Sequence, residues 1–362
     1  MNKNESLNHE KFKSWLNNNK ITKGAYNVLM NREFLFENKT EFHETKHLKI
    51  SISISTYRRP SFLIRLLDSI KSQVYDNIEI VIVDDCSNDD TESIVEQYKT
   101  ANTDLKIKFL VNEKNKGLGA TKKRAFLECT GDIIIFSDDD DYYIDNTYFS
   151  TLNHIYSNNP NCAMTLAGSI THYGMEDTYC LQELNFDHPI TTVEYLNGFV
   201  REYKKPSSTF PMSISSKNAR AVELDKLLYF NDTSLYLFSL LGEGRVFPIH
   251  RAVGIYHMHG KNMTANNRSD FILANLDAKE DIYNRAAAKK LLVSPQKWRY
   301  RNITMTSSHY LIGNKKVEPE DLEVWKWMKD HFPLPVYYSY VLRVLIARIK
   351  RGKPVNLRYI KF

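Results

Sequence analysis

From residue 50 onward the apolar positions follow two rhythms. Ile50-Ser-Ile-Ser-Ile54 alternates as a strand does, and Pro60 then opens a stretch in which Phe62, Leu63, Leu66, Leu67, Ile70 and Val74 recur at helical spacing. Ile78-Glu-Ile-Val-Ile-Val83 is a β-branched run that predicts a buried strand, and Asp89-Asp90-Thr91 starts a helix reaching Lys99. Lys106 to Val111 predicts a third strand, Leu118 to Cys129 a third helix, and Asp132 to Phe136 a fourth, wholly apolar strand. This alternation predicts an α/β fold whose mixed, mostly parallel sheet is covered by helices on both faces.

Beyond residue 162 the rhythm loosens. Ala163 to Ile170 and Phe210 to Ile214 read as strands, Thr233 to Leu241 as a helix, and residues 270 to 292 and 319 to 330 as further helices, followed by an amphipathic segment from Val336 to Ile349. Before the first strand, Phe12, Trp15 and Leu16 stand at helical spacing in a polar stretch, which predicts a helical lead-in. The expected organisation is therefore an N-terminal extension (1–47), an α/β domain (48–265) and a mostly helical C-terminal region with a basic tail (266–362).

Composition narrows the class. The 362 residues, 42% hydrophobic and 25% charged, suit a globular chain of two or three domains and exclude a disordered or disulfide-stapled miniprotein. The net charge of +6 is unevenly spread: from His331 to Phe362 there are seven Lys and Arg and no acid, and without them 42 cations face 43 acids. That places the positive excess at one end and argues against a nucleic-acid-binding surface. Cys86, Cys129, Cys162 and Cys180 form no CxxC pair and read as reduced structural thiols. No run of 18 apolar residues occurs and Met1 to Glu10 is polar, so the expected location is cytoplasmic, with at most a peripheral contact at the inner face of a membrane.

The chemistry gathers after the strands. Open α/β sheets bind ligands beyond the carboxyl ends of their strands, and there stand Thr56, Tyr57 and Arg58, then Asp84 and Asp85, then Asn112 to Gly119, then Asp138 to Asp141. An aromatic that stacks on a base beside a carboxylate that accepts a base N–H meets the needs of a nucleotide pocket. Four adjacent carboxylates repel one another unless a cation is present. Hard oxygen donors favour Mg²⁺ or Mn²⁺, which bridge to substrate phosphates. An EF-hand is excluded because its Gly and terminal Glu are missing. Gly117-x-Gly119 is a turn and not a dinucleotide fingerprint, and no Walker A sequence occurs.

Taken in order, Ser53-Ile-Ser-Thr-Tyr57, Val83-Asp-Asp-Cys-Ser-Asn-Asp-Asp-Thr91, Asn115-Lys-Gly-Leu-Gly-Ala120 and Phe136-Ser-Asp-Asp-Asp-Asp-Tyr142 resemble the family 2 glycosyltransferases of GT-A fold. Asn231-Asp232 with its following helix, and Ile255-Tyr-His-Met-His-Gly260, resemble that family's acidic motif and its closing Tyr-x-x-His element. The resemblance spans about 50 to 265. It implies that Thr56, Tyr57 and Asp85 contact the nucleoside, Asp85 accepting a uracil N–H, with Arg58 and Gly117 in the same donor pocket. Lys122 and Arg124 would lie near the donor phosphates. Asp138 would face the ribose or the metal, Asp140 would be the principal metal ligand with His259 beside it, and Asp139 is placed with the donor, the acid run permitting a one-residue slip that leaves the roles of Asp139 and Asp141 open. His257 would face the same way as His259. An Asp before a helix ordinarily reads as an N-cap, but the resemblance makes Asp232 the general base. The family usually has Glu-Asp where this chain has Asn231-Asp232.

The implied activity is a metal-dependent, inverting transfer from a nucleotide sugar, expected to be a UDP-sugar, to a hydroxyl in bacterial cell-surface polysaccharide synthesis. The acceptor is left open between a glycan, a lipid-linked sugar and a peptide side chain. A nucleotidyltransferase also sets acids on an α/β sheet, but it would carry an N-terminal Gly-rich phosphate loop that this chain lacks; a decayed, non-catalytic sugar binder would not keep the full set of acids. The segment from Tyr337-Tyr338 to Arg351 reads either as a solvated face or as a contact with anionic headgroups.

Overall fold

The computed structural model describes residues 21–22, 46–260, 269–313, 321–353 and 355. They form two compact units, one holding the residues up to Lys226 with Leu235–Gly260, the other Leu227–Ser234 with the residues after Gly260.

In the first unit β1 (Ile21–Thr22) precedes β2 (Ile50–Thr56), α1 (Pro60–Lys71), β3 (Ile78–Asp84), α2 (Thr91–Ala101), β4 (Lys106–Val111), α3 (Leu118–Leu127), β5 (Ile133–Asp138) and β6 (Tyr142–Tyr143). There follow α4 (Tyr148–Asn158), β7 (Cys162–Tyr173), β8 (Thr178–Gln182), β9 (Ile190–Thr191), α5 (Thr192–Gly198), β10 (Met212–Ser215), α6 (Ser216–Ala221), α7 (Asp232–Ser239), whose first turn belongs to the second unit, and β11 (Arg245–Met258). The parallel part of the sheet reads β5-β2-β3-β4. From β5 the sheet continues antiparallel through β10, β7, β8 and β1, while β11 runs parallel to β7 and antiparallel to β6 and β9.

The alternation in β2 hides a strand that is buried throughout. Ile50, Ile52 and Ile54 pack with Leu63, Leu66, Leu67 and Ile70 of α1. The small Ser51, Ser53 and Ser55 allow α3 to settle on the other face with its own small buried residues Gly119, Thr121 and Ala125. The chain moves from β2 outward to β3 and β4 and then returns to lay β5 on the opposite side of β2. That reversal is a topological switch point, where strand ends leave a crevice for a ligand.

In the second unit α8 (Ser269–Ala288), α9 (Pro295–Gly313), α10 (Asp321–His331) and α11 (Leu334–Lys350) share a core that includes Leu276, Ile303, Trp325, Met328, Tyr340 and Val344. Part of the basic tail turns inward. Arg348 is buried and donates through Nη1 to the Leu311 carbonyl, and Lys353 Nζ donates to the Gly313 carbonyl, so both close the carbonyl end of α9. Tyr337 is buried as well. Of the polar N-terminal stretch, Ile21–Thr22 and residues 46–47 lie among the described residues; Ile21–Thr22 pairs as a strand with Thr178 and Tyr179, and the expected lead-in helix around Phe12 to Leu16 lies outside them. Among the described residues no helix is long and apolar enough to cross a membrane.

Candidate active site at the switch point

β2 ends at Thr56 and β5 at Asp138, side by side in the sheet. Pro60 fixes the first turn of α1, which leaves Arg59 as the residue before that helix, at the mouth of the crevice. β5 is followed by a tight turn in which the Asp141 N–H donates to the Asp138 carbonyl at 3.2 Å. A turn this sharp sends the four carboxylates to different partner sets, with Arg59 shared between Asp139 and Asp140. Asp138 meets Lys122 Nζ at 2.7 Å. Asp139 accepts from Thr56 Oγ1 at 2.8 Å and from Arg59 Nη1 at 3.0 Å. Asp140 Oδ2 stands 2.8 Å from Arg59 Nη1 and 2.9 Å from His259 Nε2. Asp141, fully buried, accepts from Ser208 Oγ at 2.5 Å and from the His257 N–H at 3.2 Å.

Four carboxylates thus face two permanent cations, Arg59 and Lys122, and the protons respond. Burial pushes the Asp139 carboxyl up to about 7; Arg59 opposes that rise, and Asp140 adds to it. Asp141 is raised as well, first by burial and then by Asp140 and Asp138. The folded protein therefore holds a proton on Asp139 up to about pH 7, whereas the unfolded chain releases it near 3.8. The resulting stabilisation is complete below the lower value and disappears as pH rises through the upper one. Without divalent ions, the thermal unfolding temperature of wild type relative to Asp139→Asn should fall as pH is raised across that window. A difference between the two proteins that stays flat with pH would refute it.

The nucleoside side is built on β3 and the loop after β4. Asp85, 3% exposed, accepts from Asn112 Nδ2, Lys116 N–H and Gly117 N–H, each at 2.8 Å. A carboxylate has about four acceptor positions, so one remains for a ligand N–H. Gly117 has φ +82°, which favours glycine, and this conformation aims its N–H at Asp85. Arg58 ties the two loops together, donating from its backbone N–H to Ser87 Oγ at 2.8 Å and from Nε to the Ser87 carbonyl at 3.0 Å; its guanidinium lies 5.1 Å from the exposed ring of Tyr57. Lys122 and Arg124 part company. Lys122 reaches the acid run, whereas Arg124 donates to the Val111 carbonyl at 2.8 Å and to Asn112 Oδ1 at 2.7 Å and braces the loop.

β11 supplies the remaining wall. Phe62 of α1 packs 5.5 Å from the His257 ring and 5.0 Å from that of His259. His257 Nδ1 is 2.9 Å from His172 Nδ1, whose other nitrogen is 3.1 Å from Asp177. Burial, with Arg65 and the neighbouring imidazoles, pushes His257 down to about 4, so it is neutral near pH 7. Arg65 bonds the Asp140 carbonyl at 2.6 Å and lies 4.3 Å from the Tyr142 ring. Arg59, Arg65, His172 and Ser208 were not legible as site residues in the sequence. The signal for Arg59 was the Arg58-Arg59 pair next to a switch-point strand that had four acids to neutralise.

The donor chemistry suits a divalent ion in part. Among the described residues no group of three or more potential ligands converges. Asp140 and His259 nonetheless present a carboxylate and an imidazole side by side, donors that Mn²⁺ or Mg²⁺ accepts, and such ions take only one or two protein carboxylates when phosphate oxygens complete the shell. Asp232 opens α7. The cap of that helix is Asn231, whose Oδ1 accepts the Ser234 N–H at 3.1 Å and whose Nδ2 bonds Ser234 Oγ at 2.9 Å. The capping role that Asp232 would take by default thus falls to its neighbour.

Residues 51–241 match the family model "Glycosyl transferase family 2". The chain is 27% identical over 219 residues to the GalNAc(5)-diNAcBac-PP-undecaprenol beta-1,3-glucosyltransferase of Campylobacter jejuni, covering 58% of this chain and 65% of that one. It is 36% identical over 105 residues to the putative colanic acid biosynthesis glycosyl transferase WcaA of Escherichia coli, covering 29% and 37%. The chain spans less than two thirds of the length of these curated relatives. Among solved structures, Staphylococcus aureus TarS 1-349 in complex with UDP-GlcNAc superposes with a TM-score of 0.63 at 16% identity, covering 85% of this chain and 93% of that one, which shows a shared fold.

Proposed function

This chain belongs to glycosyl transferase family 2, and from that premise we propose that it transfers a sugar from a UDP-sugar to an acceptor hydroxyl, with inversion and with help from Mn²⁺ or Mg²⁺. The observation that carries the reading is the junction of Thr56, Arg59, Asp139, Asp140 and His259 across the ends of β2, β5 and β11. The open acceptor position on Asp85 suits the N–H of uracil, and Tyr57 is exposed beside it for stacking.

In the transfer the acceptor oxygen attacks the anomeric carbon from the face opposite the diphosphate. A new carbon–oxygen bond forms, the old one breaks, and the nucleoside diphosphate leaves with the bonding electrons. Asp232 takes the hydroxyl proton as attack proceeds. Lys122 and Arg59 place positive charge beside the acid run, where the diphosphate would lie. A divalent ion held by Asp140 and His259, with Asp138 close by, would neutralise charge on the leaving diphosphate. Asp141, anchored by Ser208 and the His257 N–H, fixes the turn that carries these groups. By likeness to the Campylobacter jejuni and Escherichia coli relatives, the proposed acceptor is a lipid-linked or polymeric surface glycan, with synthesis on the cytoplasmic side of the membrane.

A panel of nucleotide sugars tests the donor. A ligand at 100 times its dissociation constant stabilises the fold by about 2.7 kcal/mol. UDP-sugars should raise the unfolding temperature when Mn²⁺ is present and lose most of that effect in EDTA. A panel in which no nucleotide sugar shifts the transition would remove the proposal.

A further inference from the structure

One face of α11 is apolar and turned to solvent. Tyr337, Tyr340, Val341, Val344 and Arg348 bury the inner face of this helix. On the outside Leu334 is 51% exposed, Tyr338 41%, Leu342 60%, Ile346 44% and Ile349 65%. At about 100° and 1.5 Å per residue these five side chains fall within an arc of about 120° and form a continuous stripe about 22 Å long. Arg343 and Lys350, both exposed, lie within about 60° of its edge by the same geometry, and exposed Arg351 ends the helix. No acid occurs after Asp330.

We propose that this stripe is a membrane-docking face on which α11 lies in the plane of an anionic lipid surface. An apolar row that enters the acyl boundary, with cations at headgroup level on its edge and end, is the pattern of an interfacial helix. Tyr338 adds an amphipathic ring suited to that depth. A second copy of the chain fits less well, because two such faces brought together would set Arg343 and Lys350 against their own kind with no acid to pair with them. The cations that do the work are Lys350 and Arg351; the Arg343 guanidinium lies 5.2 Å from the Tyr300 ring and 5.8 Å from that of Tyr340, and Arg348 is committed to the Leu311 carbonyl inside the helical unit. The proposal is independent of the glycosyl-transfer reading and is tested without measuring activity.

The full chain is sedimented with vesicles of phosphatidylglycerol and phosphatidylcholine, or of phosphatidylcholine alone. Wild type should pellet with the anionic vesicles and stay in solution with the neutral ones. Leu342→Asp/Ile346→Asp and, separately, Lys350→Glu/Arg351→Glu should each lower the vesicle-bound fraction about tenfold at an unchanged unfolding temperature. All four positions are exposed, so the fold has no need of them. Wild type that stays in solution with anionic vesicles overturns the proposal, as does equal pelleting by both variants. A dimer that dissociates in the Leu342→Asp/Ile346→Asp variant while vesicle binding is unchanged would make the stripe a self-association face and overturn it too.

Discussion

Asp232→Asn should lower turnover by about 10²- to 10⁴-fold, the usual contribution of a positioned general base, and leave donor binding intact. The substitution keeps the size of the side chain and removes its capacity to take a proton. The helix it opens keeps its cap, because Asn231 bonds the Ser234 N–H, so folding stability should stay within about 0.5 kcal/mol of wild type. Turnover is read as release of nucleoside diphosphate, and donor binding as the thermal shift with a UDP-sugar and Mn²⁺. Loss of turnover with an unchanged shift places Asp232 in the chemical step; loss of both would make it a structural residue, and unchanged turnover would take it out of the reaction.

Asp140→Ala should behave differently, with binding and turnover failing together. Asp140 Oδ2 lies within hydrogen-bonding distance of both Arg59 Nη1 and His259 Nε2. Its carboxylate is one half of the carboxylate–imidazole pair offered to a divalent ion. Neutralising charge on the leaving group is worth several kcal/mol, and at about 1.36 kcal/mol per tenfold its loss corresponds to about 10³-fold in rate. The metal-dependent part of the thermal shift should vanish as well. A variant that keeps its Mn²⁺-dependent shift and its rate would contradict the assignment of Asp140 as a ligand to the ion.

How much of this could be read from the chain depended on whether each element's neighbours were local. β2 to β5 and α1 to α3 were legible because buried parallel strands alternate with helices at regular intervals, and their side chains keep one rhythm for a whole element. β11 was not. Pro248, Gly254, His250 and Arg251 interrupt its pattern, and its pairing with β7 shifts register at three places, so no period survives in the sequence. α9 was hidden for a different reason: its buried face carries Asn302, Thr304 and Ser307 as well as Ile303 and Leu311, polar groups that are acceptable inside because they bond within the helix, Asn302 to the Trp298 carbonyl for example.

The site divides in the same way. The acid run and its place after β5 were visible, since both are local in sequence. Of its partners, the family resemblance placed Lys122 near the donor phosphates, His259 at the metal and Thr56 at the nucleoside, whereas Arg59 and Ser208 were missed, because the groups that meet the acids come from four segments that only the sheet brings together. The basic tail shows what charge counting leaves out. Its cations are of two kinds, those such as Arg348 that close helix ends from inside and those such as Lys350 and Arg351 that face solvent, and sequence alone assigns them the same sign and the same weight.

Release of UDP from a UDP-sugar by the full chain, followed over time with Mn²⁺ present, is the direct test of metal-dependent glycosyl transfer. Wild type should release UDP, faster when an acceptor hydroxyl is supplied, and should stop in EDTA, while Asp140→Ala and Asp232→Ala should each reduce the rate by at least about two orders of magnitude. Wild-type rates in both variants, or release that is indifferent to EDTA, would contradict it.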